Sequence, residues 1–410
     1  MKTIKTVGLE ILTQSSLMLY RNLYFACLAI VLVACDPQKP VPTPAKPESG
    51  ADTIAPKALS PVDTFYQRVS QLVGGMDSTV AYAREKWDVD YIRQYSRDVS
   101  EKMVRMERDR LNKISIWNAS NIQRNQVSDS SFCFYPFSGA DFIHANWLYP
   151  NASEYLLVAK EQVGSVPNLM DMSRSEVNQY LKDIDVVLRD IYNKSYFITK
   201  NMRNDIKHAT SVNGMFPIIL WAAARTHHDI LSVKFFTIDE SGAASYTQEP
   251  EKVEKIDGVE ILTRNQFSHR ERKVTYLSVD ISDKGFEKRP EVQRYLQARV
   301  PAQCNTFVKS ASYLMHYGPF GQIRELVLGK SKVLVQDDTG IPWDKFDKSA
   351  WNLELYGVYE KPVSDFSENL YQADLAAAYE LPEYYKGPLD FSLGYHWGTG
   401  NQNQMFAIRK

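Results

Sequence analysis

The segment at residues 132–161 constrains the fold of this chain more than any other. An aromatic, β-prone run (132–137) leads into a tight turn (Ser138-Gly139), a short helix that begins near Asp141, and a second apolar run (155–159). Aromatic runs favour strands, and an acidic residue favours the start of a helix. A strand–helix–strand unit of this size pairs its strands in parallel with a right-handed crossover. The segment therefore predicts a Rossmann-like βαβ unit.

The same segment carries part of a nucleotide-binding pattern. Gly139 precedes Glu161 by 22 residues, near the separation at which Rossmann-type units place an acidic residue on a ribose. The dinucleotide fingerprint has three glycines, whereas this turn has one. Ser138, Gly139 and Glu161 are therefore candidates for a nucleotide or methyl-donor site. A purely structural βαβ turn is the alternative, and the pattern identifies no cofactor.

Helical and strand patterns alternate along the rest of the chain. Ser173 and Glu176 form a capping box ahead of a long amphipathic helix, and the run at 230–238 is typical of a buried strand. No linker divides the alternation. We expect one large α/β domain over residues 62–410, with a helical N-terminal part and a mixed, partly parallel sheet flanked by helices.

Three further predictions concern the C-terminal half. Asp257-Gly258 is a hairpin signal between two short β-prone runs. The spacing of apolar residues over 305–316 predicts a helix. The runs at 389–397 and 405–408 predict a closing hairpin.

The N-terminus is typical of an exported protein. Residues 23–34 form an apolar run of twelve after Arg21, which is shorter than the roughly 20 residues that a spanning helix needs. The run ends in Leu-Val-Ala-Cys35, which resembles the lipobox of bacterial lipoproteins. We expect residues 1–34 to be a signal peptide and Cys35 to carry a lipid. A plain secretory signal is the alternative, and translation from Met1 or from Met18 fits the pattern.

The segment after the lipobox predicts an extended tether. Residues 35–61 are rich in proline and show no apolar periodicity, and such segments favour polyproline II. The expected location is the bacterial cell envelope, with the membrane as a partner through the lipid anchor. The pattern leaves the inner or outer membrane open, and it identifies no protein partner.

Charge and cysteine content restrict the function further. The chain has 48 basic and 49 acidic side chains, and its charge is about -3 without residues 1–34. A nucleic-acid partner is not expected, because neutralising phosphates requires a basic surface. Cys133 and Cys304 remain besides Cys35. An oxidising envelope permits a disulfide between them, and buried free thiols are the alternative.

Ser138, Asp141 and His144 are the first candidates for catalysis. Asp141 and His144 share one helix face at a spacing of three, so the trio offers a nucleophile, an orienting acid and a base. The turn lacks the G-x-S-x-G pattern of a nucleophile elbow. We therefore favour a turn-forming serine and an aspartate that caps the helix.

Asp337 and Asp338 are the second candidates, because they directly follow a strand. Carboxylates at the carboxyl edge of a parallel sheet lie where α/β proteins bind ligands, although the sequence DDTG is also a good turn. The residues His227-His228-Asp229 predict no metal site, since adjacent histidines point to different sides. The residues Tyr395-His396-Trp397 fit a sugar-stacking platform, but a half-buried strand is favoured.

Four segments are similar to an uncharacterised family of exported bacterial proteins and lipoproteins. They are FYPFSGADF (134–142), KSASYLMH (309–316), QDDTGIP (336–342) and WNLELYGVY (351–359). The resemblance covers most of residues 85–370. It implies an architecture and an envelope location, but it assigns no catalytic role to any residue.

Together these patterns predict a lipid-anchored envelope protein that binds a small or glycan-like ligand near residues 138–141 and 337–338. One alternative is an envelope hydrolase that uses aspartate and histidine side chains. Another is a degenerate Rossmann-like protein that binds a nucleotide or a methyl donor. An enzyme predicts that both polar turns converge on one cleft, whereas a binding protein predicts carboxylates that are satisfied by the backbone.

Overall fold

Eleven strands form one sheet in the part of the chain that the structure describes. The structure is a computed structural model, and it describes residues 59–76, 87–122, 131–194, 211–247, 249–398, 400 and 402–410. The predicted signal peptide, Cys35 and the tether up to residue 58 lie outside these residues. In chain order the strands are β1 (Phe132–Pro136), β2 (Glu154–Ala159), β3 (His228–Ile238), β4 (Ala244–Thr247), β5 (Gly258–Asn265), β6 (Glu271–Ser278), β7 (Cys304–Val308), β8 (Ser331–Gln336), β9 (Trp351–Gly357), β10 (Tyr385–Gly387) and β11 (Asn403–Arg409). The α-helices are α1 (Thr64–Val73), α2 (Val89–Met106), α3 (Asn112–Asn121), α4 (Phe142–Leu148), α5 (Arg174–Lys194), α6 (Phe216–Arg225), α7 (Asp283–Lys288), α8 (Pro290–Arg299), α9 (Gly321–Lys330) and α10 (Ala373–Tyr379).

The strand order is β10-β9-β11-β8-β7-β1-β2-β6-β5-β3-β4. The five central strands, from β8 to β6, are parallel to one another. Strand β11 runs antiparallel between β8 and β9, and β5, β3 and β4 form an antiparallel extension at the other side. This arrangement confirms the predicted α/β class with a mixed, partly parallel sheet, and the parallel pairing of β1 and β2 confirms the βαβ unit.

The parallel strands are wound in two directions from β1. The chain passes from β1 to β2 and then to β6 on one side, and it returns to place β7 and β8 on the other side. The resulting order, β6-β2-β1-β7-β8, is the 3-2-1-4-5 order of a Rossmann sheet. The order reverses between β1 and β7. In such sheets the crevice at the carboxyl ends of the strands beside this reversal binds ligands.

Both faces of the parallel strands are covered. Cys133 and Tyr135 of β1 belong to one core, which includes Trp221 of α6, and Phe134 belongs to a second core with Leu296 of α8. Every residue of β1 is buried, as expected of a strand between two helical layers. The alternation of side chains along β1 therefore assigns neighbouring residues to opposite cores.

Local signals place several helix ends correctly. The N-terminal part is helical, as predicted, and it begins with α1, which Asp63 caps and which ends before Gly74. The capping box is also confirmed, because the Ser173 backbone N–H donates to the Glu176 carboxylate at 2.7 Å and the Glu176 N–H donates to Ser173 Oγ at 3.4 Å.

The helix predicted over 305–316 is wrong, because this region begins with β7. Strand β7 ends in a loop in which Ser310, Ser312 and Tyr313 have positive φ angles of 56°, 53° and 57°. Left-handed residues of this kind interrupt a right-handed helix. The apolar spacing of the segment reflects a buried strand followed by a packed loop.

The hairpin predicted at Asp257-Gly258 is also wrong. Strand β5 begins at Gly258 and pairs with β3 and β6. Asp257 is instead a buried anchor, since its carboxylate accepts hydrogen bonds from the Arg289 guanidinium at 2.5 and 2.9 Å and from the Ile238 N–H at 2.9 Å.

The closing hairpin predicted from 389–397 and 405–408 does not form either. Within the first run only Gly394–His396 is regular, as one 3-10 turn. The second run lies in β11, which pairs with β8 and β9. The strand alternative for Tyr395-His396-Trp397 fails for the same reason.

Cys133 and Cys304 are buried free thiols. Cys133 faces the core that contains Trp221, whereas Cys304 faces the core that contains Leu296. The sheet itself separates the two side chains, so the disulfide alternative does not hold. Burial raises the pKa of both thiols.

The described helices were also compared with the length and hydropathy of a membrane span. In residues 59–410, as far as they are described, no helix is both long enough and apolar enough to cross a bilayer.

Candidate functional site

A cavity of about 330 Å³ opens at the carboxyl ends of β1, β2, β6 and β7. This volume lies within the usual range of small-molecule sites. Most of its wall comes from four segments, each of which follows one of these strands, and Phe320 and Tyr395 complete it. The polar or conformationally special lining residues are Tyr135, Ser138, Gly139, Asp141, Lys160, Glu161, Asp280, Lys309, Ser310, Ser312 and Tyr395. The cavity therefore lies where the winding of the sheet predicts a ligand.

The loop after β1 is a tight, strained turn. Phe137 and Gly139 both have positive φ angles, of 62° and 56°. The Ser138 hydroxyl donates to the Gly139 carbonyl at 2.9 Å, and the Ser138 N–H donates to the Val158 carbonyl at 3.0 Å. Ser138 thus fastens the turn to β2, which agrees with the favoured interpretation of a turn-forming serine.

Asp141 connects four groups at the floor of the cavity. Its Oδ1 accepts hydrogen bonds from the His144 N–H at 3.3 Å and from His144 Nδ1 at 2.7 Å. Its Oδ2 accepts from Lys309 Nζ at 2.6 Å and from the Tyr135 hydroxyl at 3.0 Å. Burial opposes ionisation, but His144 and Lys309 lower the pKa of Asp141 to about 2. The carboxylate is therefore charged, and it caps α4 as predicted.

His144 supports Asp141 from behind and does not line the cavity. The imidazole is fully buried, and its Nε2 has no hydrogen-bond partner among the described residues. Burial lowers the pKa of His144 to about 4, so the ring is neutral near pH 7 and donates through Nδ1. The predicted contact between Asp141 and His144 is present, but the histidine has no route to a ligand in the cavity.

Lys309 is a buried lysine that sequence reasoning missed. It follows β7, which the sequence pattern assigned to a helix, and its side chain is 2% exposed. Burial lowers the pKa of Lys309, and the Asp141 carboxylate opposes this effect. The ion pair holds the end of β7 against the turn after β1 and thereby fixes the crevice between them.

Glu161 lies two residues beyond β2 and differs from the other acidic groups. It lines the cavity and is only 9% exposed. No side chain or N–H group within the described residues donates a hydrogen bond to its carboxylate. Its backbone carbonyl accepts the Tyr276 hydroxyl at 2.7 Å, which positions the residue. The side chain is thus available to a ligand.

Asp280 occupies the corresponding place after β6. Its Oδ2 accepts a hydrogen bond from Lys160 Nζ at 2.8 Å and its Oδ1 accepts the Ser282 N–H at 3.0 Å. Burial opposes ionisation, but Lys160 and Ser282 lower the pKa of Asp280 to about 2. The β-prone run at 273–281 predicts a strand that includes Asp280, whereas β6 ends at Ser278. The sequence feature that could have identified Asp280 is the one that identified Glu161, namely an acidic residue at the end of an apolar run.

The carboxylates of the second polar turn, those of Asp337 and Asp338, accept their hydrogen bonds from groups of the protein itself. The Asp337 carboxylate accepts hydrogen bonds from the N–H groups of Ser310 and Thr339, each at 3.0 Å. Asp338 accepts the Tyr313 hydroxyl at 2.5 Å and His396 Nε2 at 2.5 Å. Neither aspartate lines the 330 Å³ cavity. The turn alternative is therefore the better account of both residues.

Titration of this turn reflects its burial. Burial and the Asp338 carboxylate raise the pKa of Asp337. Burial opposes the charged form of His396, but its hydrogen bond to Asp338 and the charge of that carboxylate raise the pKa of His396 above the ordinary value. The two polar turns meet at Lys309-Ser310, because Lys309 binds Asp141 and the Ser310 N–H binds Asp337. They are adjacent, yet only the first faces the cavity.

The remaining candidates do not form a site of their own. His228 Nδ1 lies 2.9 Å from Thr226 Oγ1, and no cluster of three metal-ligating side chains occurs among the described residues. Tyr395 lines the cavity, and its hydroxyl lies 2.7 Å from Ser312 Oγ. His396 is buried beside Asp338, and Trp397 is 44% exposed. These three side chains do not form one stacking platform.

Comparison of the chain with known protein families, with curated proteins and with solved structures finds no match. The assignment of a function therefore depends on the geometry of the cavity and on the sequence patterns.

Proposed function

We propose that this protein is a lipid-anchored protein of the bacterial cell envelope that binds a small, hydroxyl-rich ligand in the cavity at the carboxyl edge of the sheet. The observation that carries the proposal is Glu161, a residue nine-tenths buried on the cavity wall whose carboxylate accepts no hydrogen bond from the described residues. A buried charge without hydrogen bonds is costly. Ligand hydroxyl groups are the donors that satisfy it.

The charges of the cavity favour a neutral or cationic ligand. Its lining includes three carboxylates, of Asp141, Glu161 and Asp280, and two ammonium groups, of Lys160 and Lys309. Each lysine is paired with one aspartate. The excess negative charge belongs to Glu161, so an anionic ligand would meet repulsion.

The membrane anchor in this proposal depends on the sequence alone. The lipobox ending at Cys35 and the proline-rich segment that follows support a domain held near a membrane by a tether. Metabolic labelling of the full chain with a radioactive fatty acid tests this part. We expect label in the wild type and none in Cys35→Ala, and equal labelling of the two would overturn the anchor.

The hydrolase alternative has weaker support. Its candidate histidine bases do not reach the ligand, because His144 does not line the cavity and His396 is bound to Asp338. The methyl-donor alternative draws on Glu161 and Gly139, which both line the cavity.

Isothermal titration calorimetry of the full chain in detergent tests ligand binding. The panel contains ribose, glucose, N-acetylglucosamine and adenosine as neutral probes. We expect at least one of them to bind the wild type and to bind Glu161→Gln about tenfold more weakly or worse, because a hydrogen bond to a charged group contributes roughly 1.5–3 kcal/mol. Glu287→Gln, on the exposed side of α7, is the matched control. Failure of all four probes would refute the proposed cavity function.

A further inference from the structure

We infer that the ligand is a nucleoside without a phosphate group, bound with its ribose at Glu161 and its base beside Asp280. This inference rests on the proposed function, because it names the ligand class of the same cavity. Three features of the cavity support it: the position of Glu161, the composition of the neighbouring wall, and the group that occupies the start of α4.

The position of Glu161 matches a ribose site. In doubly wound sheets of this strand order, an acidic residue near the end of the second strand accepts the ribose hydroxyls. Glu161 follows β2, the second strand in that order, and Gly139 provides the tight turn after β1. The Glu161 carboxylate also keeps its hydrogen-bonding capacity, because no described group donates to it, and vicinal hydroxyls match the two oxygens of a carboxylate.

The wall next to Glu161 fits a flat, largely apolar ring with a polar edge. The cavity lining includes Val279, Ile281, Leu314 and Phe320, and the first two follow β6, the strand beside β2. Asp280 lies between the first two, and its carboxylate can accept a hydrogen bond from an exocyclic amine of a base. Because neighbouring strands are about 4.8 Å apart, the ends of β2 and β6 place Glu161 and Asp280 on adjacent segments. A sugar alone would leave the apolar wall uncovered.

The start of α4 is unsuitable for phosphate. Dinucleotide sites place their phosphates against a helix N-terminus and a glycine-rich loop. Here the Asp141 carboxylate already binds the first turn through the His144 N–H, and it carries a negative charge. A phosphate at this place would have to displace the Asp141 carboxylate from that N–H group, and Lys309 is already paired with the same carboxylate. The cavity thus retains the ribose-binding part of the Rossmann arrangement and lacks the phosphate-binding part.

The test compares ligands on the wild-type full chain by isothermal titration calorimetry, so that it does not depend on a variant that folds. The probes are adenosine, AMP, S-adenosylmethionine and glucose. We expect adenosine to bind at least tenfold more tightly than AMP and than glucose. S-adenosylmethionine carries a sulfonium, an ammonium and a carboxylate but no phosphate; because its net charge is positive, it should bind at least as tightly as adenosine.

A second comparison locates the ribose. Glu161→Gln should weaken adenosine binding at least tenfold but should change the binding of 2′,3′-dideoxyadenosine less than twofold, because that analogue lacks both hydroxyls. Glu287→Gln should change neither. An equal loss for both ligands would overturn the ribose assignment.

The outcomes separate this inference from the proposed function. If glucose or ribose binds and adenosine does not, the nucleoside inference is wrong while the hydroxyl-binding function stands. If AMP binds as tightly as adenosine, the inference is also wrong, because the role of Asp141 in excluding phosphate fails. If none of the neutral probes binds, both are wrong.

Discussion

The turn after β1 and the turn after β8 each place an aspartate beyond a buried strand, at the same edge of the sheet. Asp141 in the first turn faces a cavity, whereas Asp338 in the second turn is enclosed by Tyr313, His396 and Asn403. The difference comes from later parts of the chain. Asn403 begins β11, which pairs with β8, so the C-terminal segment covers the end of β8. The corresponding space beyond β1 and β2 stays open as the cavity. A carboxylate after a strand is therefore a ligand site only where nothing later covers it.

The largest effect is expected at the enclosed turn. Asp338→Ala leaves the His396 and Asn403 side chains and the Tyr313 hydroxyl buried without their acceptor. Removing one partner from a buried charged network costs about 3–5 kcal/mol. Urea denaturation should show this loss in the free energy of unfolding. Asp344→Ala, at an exposed position, is the control and should change it by less than about 0.5 kcal/mol. A loss below about 1 kcal/mol would contradict the enclosed description of this turn.

At the floor of the cavity we expect a large loss of stability that a second substitution restores. Lys309→Met removes one of the donors to buried Asp141 and should destabilise the fold by about 3 kcal/mol. The double variant Lys309→Met, Asp141→Asn should regain most of this stability, since a buried ion pair is often replaceable by neutral groups of similar size. A double-mutant cycle in urea measures the coupling. Additive losses would mean that the two side chains do not act as a pair.

Substitution of Glu161 on the open cavity wall should affect ligand affinity and not the stability of the fold, unlike substitutions at the Asp338 and Asp141 networks. Glu161→Gln removes a charge that has no described donor, so the free energy of unfolding should stay within about 0.5 kcal/mol of wild type or rise. Ligand affinity should nevertheless fall at least tenfold, about 1.4 kcal/mol. Thermal unfolding with and without ligand separates the two quantities. Strong destabilisation without ligand would show that Glu161 is structural, like Asp338.

The sequence predicts the parts of this comparison that depend on local spacing. The cap at Asp141 and the Asp141–His144 contact follow from residues within one turn, and the βαβ unit follows from one continuous segment of about 30 residues. Lys309 and the enclosing His396 were not predicted as partners, because they join the site through strand order and through the C-terminal segment. Because β7 was predicted as a helix, Lys309 was not placed at the carboxyl edge of the sheet. The separation of Cys133 and Cys304 was not predicted either, because it depends on the face of the sheet to which each side chain points.

The smallest effect concerns the pH dependence of the enclosed turn. Asp338 raises the pKa of folded His396 above the unfolded value of about 6.5. The stability from this pair is therefore fully present below about pH 6.5, and it is lost as the pH rises through the folded pKa. A tenfold difference in proton affinity between the folded and unfolded states corresponds to about 1.4 kcal/mol. We expect wild-type stability to fall above pH 6.5 more steeply than that of His396→Gln in parallel urea titrations. Identical slopes would mean that His396 is neutral in the fold and that only hydrogen bonds hold Asp338. His396 beside Asp338 would then resemble His144 beside Asp141, which is also a neutral imidazole.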